Sequence, residues 1–346
     1  MNKTTINMVL VLVLMTILIV TSCGRRKSVT PTTLAATTST TNYAYVVNAV
    51  DNTISVFNAS NSWSLVETVS IGAGARSAAI YNNRVLYVSQ GTAGTIGVYS
   101  VGDDGKLTLI ENKAVTGTFP NGVEVSGAYL YVSQSSSNDI GVYSIGSNGA
   151  LTSVATDLAS GCTSPQDMKI LDSVLFVSCF STNEVRSFTV AGDGTISAKE
   201  NKAVGTNPFR SAVATGAFFV PNKASNTVSS FVVDGTGALT LAETKSVGTN
   251  PSDVLAYNGR LYVSNRDDNT IGVYSIETDE TLTLIETKAA GCTQPFSLEN
   301  LGSSLAVSCE GSASIQVFPI DGAGTLGTAT NVSVGSSPYD IEFATK

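Results

Sequence analysis

The stretch LYVSNRDDNTIGVYSI, residues 261–276, is two short apolar runs on either side of a polar knot, and the chain repeats it. Copies begin at AYVVNAVDNTISVF (44), LYVSQGTAGTIGVY (86), LYVSQSSSNDIGVY (130), LFVSCFSTNEVRSF (175), FFVPNKASNTVSSF (218), LYVSNRDDNTIGVY (261) and LAVSCEGSASIQVF (305). Their second residues stand at 45, 87, 131, 176, 219, 262 and 306, so the spacing stays between 42 and 45. A period this regular marks a repeat architecture. The sixth copy parses into four strands: PSDVLAY (251–257), RLYVSN, TIGVYSI and LTLIETKAAG, with YNG and RDDN as turns. Alternating Leu, Val, Tyr and Ile give half-buried antiparallel strands, and Gly, Asn and Asp mark the turns. Four strands in about 43 residues is the size of one blade of a β-propeller. Seven blades then span residues 42–346, an all-β fold. The first starts with a second strand, YAYVVNA, and the chain finishes with a lone first strand, SPYDIEF (337–343). The C-terminal strand is therefore predicted to complete blade one, a closure that leaves no long free edge.

The unit G-x-L-T, G-x-x-P, LYVSN, NTIGVYSI resembles the YVTN and lactonase group of seven-bladed propellers, the fold of the 6-phosphogluconolactonase (cycloisomerase-type) family. DGKLTLIENKAVTGTFPNGVEVSGAYLYVSQ, residues 104–134, is similar to it in full. The resemblance implies the fold and, as an activity, lactone hydrolysis. Its motifs build blades, however, and no family catalytic set carries over residue by residue; propellers host many functions.

The N-terminus, MNKTTINMVLVLVLMTILIVTSCG, has a basic Lys3, an apolar run and small residues before a cysteine, the layout of a secretory signal. It resembles a bacterial lipoprotein signal, with Val20-Thr21-Ser22-Cys23 as the lipobox. The resemblance implies cleavage before Cys23, a lipid on its thiol and a membrane partner. The alternative is an uncleaved helix, since the run is a little short of the roughly 20 residues that span a bilayer. Gly24 after the cysteine favours the outer membrane or cell surface within the cell envelope. Residues 1–22 are then the signal peptide, 23–41 the lipidated cysteine and a Thr/Ser-rich tether, and 42–346 the propeller. The net charge of −8, with the one basic cluster Arg25-Arg26-Lys27 outside the repeats, argues against nucleic acid as a partner. A monomer is expected.

Cys162, Cys179, Cys292 and Cys309 fall in two copies of one arrangement, GCTSPQDMKILDSVLFVSC and GCTQPFSLENLGSSLAVSC. In each, the first cysteine precedes a first strand and the second ends the antiparallel neighbour, within reach of a disulfide. Pairing 162 with 179 and 292 with 309 is the favoured reading for an exported chain; a zinc site without CxxC or histidine, and free buried thiols, are the alternatives.

The chain has no histidine. Ser-His-Asp and Cys-His catalysis and a His general base are therefore excluded, leaving carboxylates, Lys, Tyr or a carboxylate-bound metal. The axial channel, lined by the first strand of each blade, is the candidate site. Residues two and four places after the inner-strand proline, on one face by the period of two, place Glu124, Asp167, Lys169, Arg210, Asp253, Glu299, Asp340 and Glu342 at the axis. They read either as a site for a small ligand or a divalent cation, Ca²⁺ or Mg²⁺, with Arg210 and Lys169 holding a carboxylate or phosphate, or as a water-filled channel whose charges offset one another. RDDNT at 266–270 lacks the spacing of a calcium loop and reads as a turn. With no catalytic set in view, the residues favour a lipid-anchored module that binds an envelope protein or small ligand; a lactone hydrolase using the channel carboxylates, with or without a metal, is the alternative, and a purely structural envelope protein a third.

Overall fold

A computed structural model describes residues 40–159 and 161–346. The signal, lipobox and tether lie outside the described residues, and no helix among these is long and apolar enough to cross a membrane. Thr40–Lys346 is one compact unit of seven four-stranded antiparallel sheets. The sixth is typical: Pro251–Tyr257, Arg260–Asn265, Thr270–Ile276 and Leu282–Ala289, in that order from the axis outward. The inner strands of the others are Ala75–Tyr81, Pro120–Ser126, Pro165–Leu171, Ala212–Ala214 and Pro295–Leu301 in blades two, three, four, five and seven, and Pro338–Thr345 in blade one. Each packs on the next, closing a ring. Pro338–Thr345 pairs with Asn42–Asn48, as the sequence predicts, and Thr41 and Lys346 exchange two backbone hydrogen bonds of 2.8 Å.

The repeat explains why blades adhere. The alternating apolar residues bury between neighbouring sheets; Ala212, Phe219, Val228, Val254, Leu261, Val263 and Tyr274, for example, fill the space between blades five and six. Polar side chains then bridge the blades. The tyrosine of LYVS donates to a turn carbonyl of the next blade (Tyr45 to Gly105, Tyr87 to Gly149, Tyr131 to Gly194, Tyr262 to Gly324, at 2.8–3.0 Å). A glutamate on the outer strand accepts the N–H of a leucine in the next (Glu67 from Leu107, Glu111 from Leu151, Glu200 from Leu239, Glu286 from Leu326). At the inner edge, the serine of LYVS reaches a carbonyl of the next inner strand (Ser133 to Gln166, 3.1 Å; Ser264 to Phe296, 2.8 Å). Buried groups so paired lose little on leaving water.

Both expected disulfides are present, Cys162–Cys179 and Cys292–Cys309, with Cα separations of 5.2 and 6.0 Å. Each links the entry of an inner strand to the end of its neighbour.

Candidate functional site

Every regular inner strand carries a bulge just after its first residue, between Pro251 and Asp253 in blade six and between Pro120 and Val123 in blade three. In blades two, three, six and seven the N–H left out of the ladder is taken by the serine of LYVS: Ser77 donates to Ser89 Oγ (3.0 Å), Asp253 to Ser264 (2.9 Å), Gly122 to Ser133 and Ser297 to Ser308 (both 2.8 Å). A bulge re-aims the side chain it carries; here it turns the residue two places after the proline toward the axis.

Blade five departs from this pattern for a reason visible in its sequence. Its FFVPN has Pro221 where blades two, three, four, six and seven have serine and blade one has Val47, so no hydroxyl stands there to accept the Arg210 N–H, and, unlike Val47, Pro221 has no N–H for the ladder. The inner strand shrinks to Ala212–Ala214, with Pro208 bridged alone to Asn222. Ser178, the blade-four serine that would reach over, has an unpartnered buried hydroxyl. Freed from the sheet, Arg210 crosses the channel. Its guanidinium pairs with Asp340 of blade one at 2.6 Å, donates to the Arg76 carbonyl of blade two at 3.2 Å, and lies over the rings of Phe296 and Tyr339.

All eight channel residues expected from the sequence line one cavity of about 190 Å³. They form two tiers. In the first, the three aspartates are committed to backbone. Asp340 accepts the Ala78 N–H, Asp167 the Ser211 N–H and hydroxyl, and Asp253 the Leu298 N–H, at 2.8–2.9 Å; each thereby ties one blade to the next. Their neighbour in this tier is a glycine, Gly122, because a Cβ there would stand 2.6 Å from the Gln166 carbonyl oxygen. The second tier holds Glu124, Lys169, Glu299 and Glu342, with Lys169 Nζ 3.8 Å from Glu124.

The titration of the tiers follows from burial and charge. Burial pushes Asp253 up to about 7, although Arg210 and the Leu298 N–H oppose it. Burial, with Asp340 and Asp253 adding to it and Lys169 opposing, pushes Glu299 up to about 8. Burial and the Glu299 charge raise Glu342 as well. Burial opposes the charge of Lys169, but Asp167, Glu124, Asp253 and Glu342 outweigh it and the ammonium is held firmly. One fixed cation thus faces carboxyls that change protonation around neutrality. For the Ca²⁺ or Mg²⁺ site that the sequence allows, no group of three or more Asp, Glu or Cys side chains that could hold a metal ion is found among the described residues. Asp267 and Asp268 of RDDNT bind Asn250 and the Thr249 N–H, as turn residues do.

The sequence reading missed the mouth of the channel. Residues one place after the inner-strand proline meet over the axis: Phe209 of blade five reaches past blade six to Phe296 of blade seven, which packs on Tyr339 of neighbouring blade one, with ring centroids 5.8 and 4.2 Å apart along that row. Arg76 lies 4.9 Å from the Tyr339 centroid and 5.9 Å from that of Phe119. Phe119 has a φ of +58°, the left-handed turn that the residue at this place adopts in every blade (Gly74, Ser164, Asn207, Asn250, Gln294 and Ser337 in the others). Beside this layer remains a slot of about 10 Å³, the room of one water, lined by Asn121, Gln166, Asp167, Phe209, Arg210 and Tyr339. The only signal in the chain was the pattern P-F-R, P-F-S and P-Y-D.

The sequence profile described as "Lactonase, 7-bladed beta-propeller" matches residues 34–165 and 254–343, well over half the chain. The unmatched interval contains the irregular blade five. No match was found among curated proteins. Among solved structures, the fold is similar to a protein from Lactobacillus plantarum (TM-score 0.77, 16% identity, 88% of this chain and 99% of that one). It is also similar to a candidate 6-phosphogluconolactonase from Bacteroides fragilis (0.74, 18%, 91% and 99%) and to a periplasmic gluconolactonase from Pseudomonas aeruginosa (0.76, 18%, 88% and 99%).

Proposed function

This chain belongs to the seven-bladed β-propeller lactonase family, and from that premise we propose that its axial cavity opens the ring of a small sugar lactone by hydrolysis. The observation that carries the proposal is Lys169, held as a cation, lining one cavity with Glu299 and Glu342, whose carboxyls burial raises above their ordinary range, Glu299 to about 8. Ester hydrolysis needs a base for water, a cation for the carbonyl oxygen as it becomes negative, and an acid for the departing oxygen. The ionised member of the Glu299–Glu342 pair takes the proton from water, Lys169 stabilises the oxyanion, and the protonated member supplies the ring oxygen with its proton. This division of labour needs no histidine, whose absence had favoured a binding module on sequence alone. A cavity of about 190 Å³ is below the range of drug-sized ligands and suits a single sugar ring. Because Phe209, Phe296, Tyr339 and Arg210 leave only a water-sized slot at their end, the lactone enters from the opposite mouth.

Acid release from sugar lactones in a pH-stat tests this. Saturable turnover is expected, reduced by about 10²-fold or more in Glu299→Gln and Lys169→Met. Absence of turnover with the wild-type chain on a panel of sugar lactones would return the binding-module reading. The lipobox reading of Cys23 places the enzyme at the cell envelope, and Cys23→Ser is expected to move it from the membrane to the soluble fraction.

A further inference from the structure

The residue that follows the second strand of each blade rings the aromatic mouth. In blades four to seven these are Phe180, Lys223, Arg266 and Glu310, each donating its N–H to the residue before the inner-strand start (Ser164, Asn207, Asn250 and Gln294) at 2.9–3.3 Å. Lys223 is the one that sits on the rings. Its Nζ lies 4.2 Å from the Phe209 centroid and 5.6 Å from that of Phe296. The carboxylates near it are engaged elsewhere. Glu310 accepts from Arg266 Nε at 3.0 Å, and Asp267 accepts from an Arg266 guanidinium nitrogen and from Asn250, at 3.1 and 3.0 Å. Among the described residues Lys223 makes no ion pair, and its charged neighbours include two further cations, Arg266 and Arg210. Burial and the Arg266 charge push its amine down to about 8, Glu310 and Asp267 oppose, and Arg210 adds to the fall. Lys169 in the channel goes the opposite way, because its charged neighbours are the carboxylates Asp167, Glu124, Asp253 and Glu342, whereas those of Lys223 include Arg266 and Arg210.

We propose that Lys223 is a nucleophilic amine that small cyclic esters acylate, a modification site at the aromatic mouth separate from the channel carboxylates. A lysine placed on apolar surface beside other cations is an activated nucleophile for carbonyl carbon. The neutral nitrogen attacks the ester carbon, a C–N bond forms and the ring C–O bond breaks. The proton lost by nitrogen goes to the released alkoxide, giving a hydroxyacyl amide with no other reactant. The guanidinium groups of Arg210 and Arg266 favour the oxyanion formed on the way, and the rings of Phe209 and Phe296 offer an apolar face to the carbon skeleton. The product removes the positive charge from this side of the mouth. The inference does not rest on turnover in the channel.

The full chain incubated with glucono-δ-lactone, digested and read by mass spectrometry lysine by lysine, tests it. At pH 8 about half of Lys223 is neutral, against roughly one part in 300 of an ordinary lysine at 10.5. Even with the lower nucleophilicity of a weaker base, Lys223 is expected to carry at least about tenfold more adduct than exposed Lys106 or Lys199. Its labelling rate should reach half its maximum near pH 8, while theirs keep rising. No adduct at Lys223, equal labelling of all three, or a preference whose pH profile matches that of Lys106 would each overturn the proposal. Loss of lactonase turnover alone would leave it standing.

Discussion

Arg210 and Asp340 meet across the channel with side-chain exposures of 12% and 8%, and breaking this pair is expected to be among the costliest single changes in the propeller. Their contact of 2.6 Å sets the charge centres roughly 4 Å apart, which at an effective dielectric of about 20 corresponds to about 4 kcal/mol. Removing one partner of a buried pair costs about 3–5 kcal/mol, because the survivor stays buried and uncompensated. Arg210→Met leaves Asp340 with the Ala78 N–H and the Ser297 hydroxyl, and Asp340→Asn leaves Arg210 with the Arg76 carbonyl and two rings. Each single variant should therefore lose about 3–5 kcal/mol. The double variant should lose far less than their sum, since neither charge is then stranded. Equilibrium urea unfolding, followed by circular dichroism and by the fluorescence of Trp63, gives all four corners of the cycle. A double variant whose loss equals the sum of the singles to within about 0.5 kcal/mol would mean that the two groups are not coupled, and the account of Arg210 as the tie across the mouth would be wrong.

Stability should also depend on pH in an unusual direction. Asp253 and Glu299, pushed up to about 7 and 8 from 3.8 and 4.5, bind more protons folded than unfolded, so their contribution is full below about pH 4 and is lost as the pH rises to about 8. A melting temperature higher at pH 5 than at pH 8 is the expected result. The turn aspartates Asp193, Asp234, Asp279 and Asp321, held low chiefly by threonine hydroxyls, act only below that window. Glu280, with a φ of +63°, occupies the turn position that is glycine in five other blades (Gly105, Gly149, Gly194, Gly237, Gly324). Glu280→Gly should stabilise the fold by about 1 kcal/mol, read as a rise of a few degrees in melting temperature. A Cβ at Gly105 would meet Tyr43 at 2.2 Å and one at Gly237 would meet Val174 at 2.4 Å. The repeat places the small Ala217 in that role opposite Glu280, so Ala217→Val should be tolerated better when Glu280 is glycine. Replacing either disulfide, Cys162–Cys179 or Cys292–Cys309, by two alanines should cost roughly 3 kcal/mol in urea unfolding, since both close a loop with a sequence separation of 17.

The sequence by itself determined the blades. A period of two within strands, turn residues between them and a repeat of about 43 residues are local features, and local features survive in a linear reading. The split first blade follows from them too, because YAYVVNA lacks an inner partner and SPYDIEF lacks an outer one. The same arithmetic located the eight channel residues, since all first strands run the same way past one axis. Two things depended on tertiary structure. The first is which groups are free to act: Asp167, Asp253 and Asp340 look like ligands in the sequence, yet each is tied to the next blade's backbone, a bond between residues about 45 or, for Asp340, 262 positions apart. Glu299, Glu342 and Lys169 take their chemistry from being enclosed together, and desolvation is a property of the assembled ring. The second is the mouth. Phe209 and Phe296 come from blades five and seven, which are not neighbours, and they meet where the blade-five inner strand, shortened at Pro221, leaves the sheet and Arg210 crosses the axis to Tyr339 and Asp340. A single proline that breaks a ladder is visible in the chain; where the freed arginine goes is decided by the opposite wall.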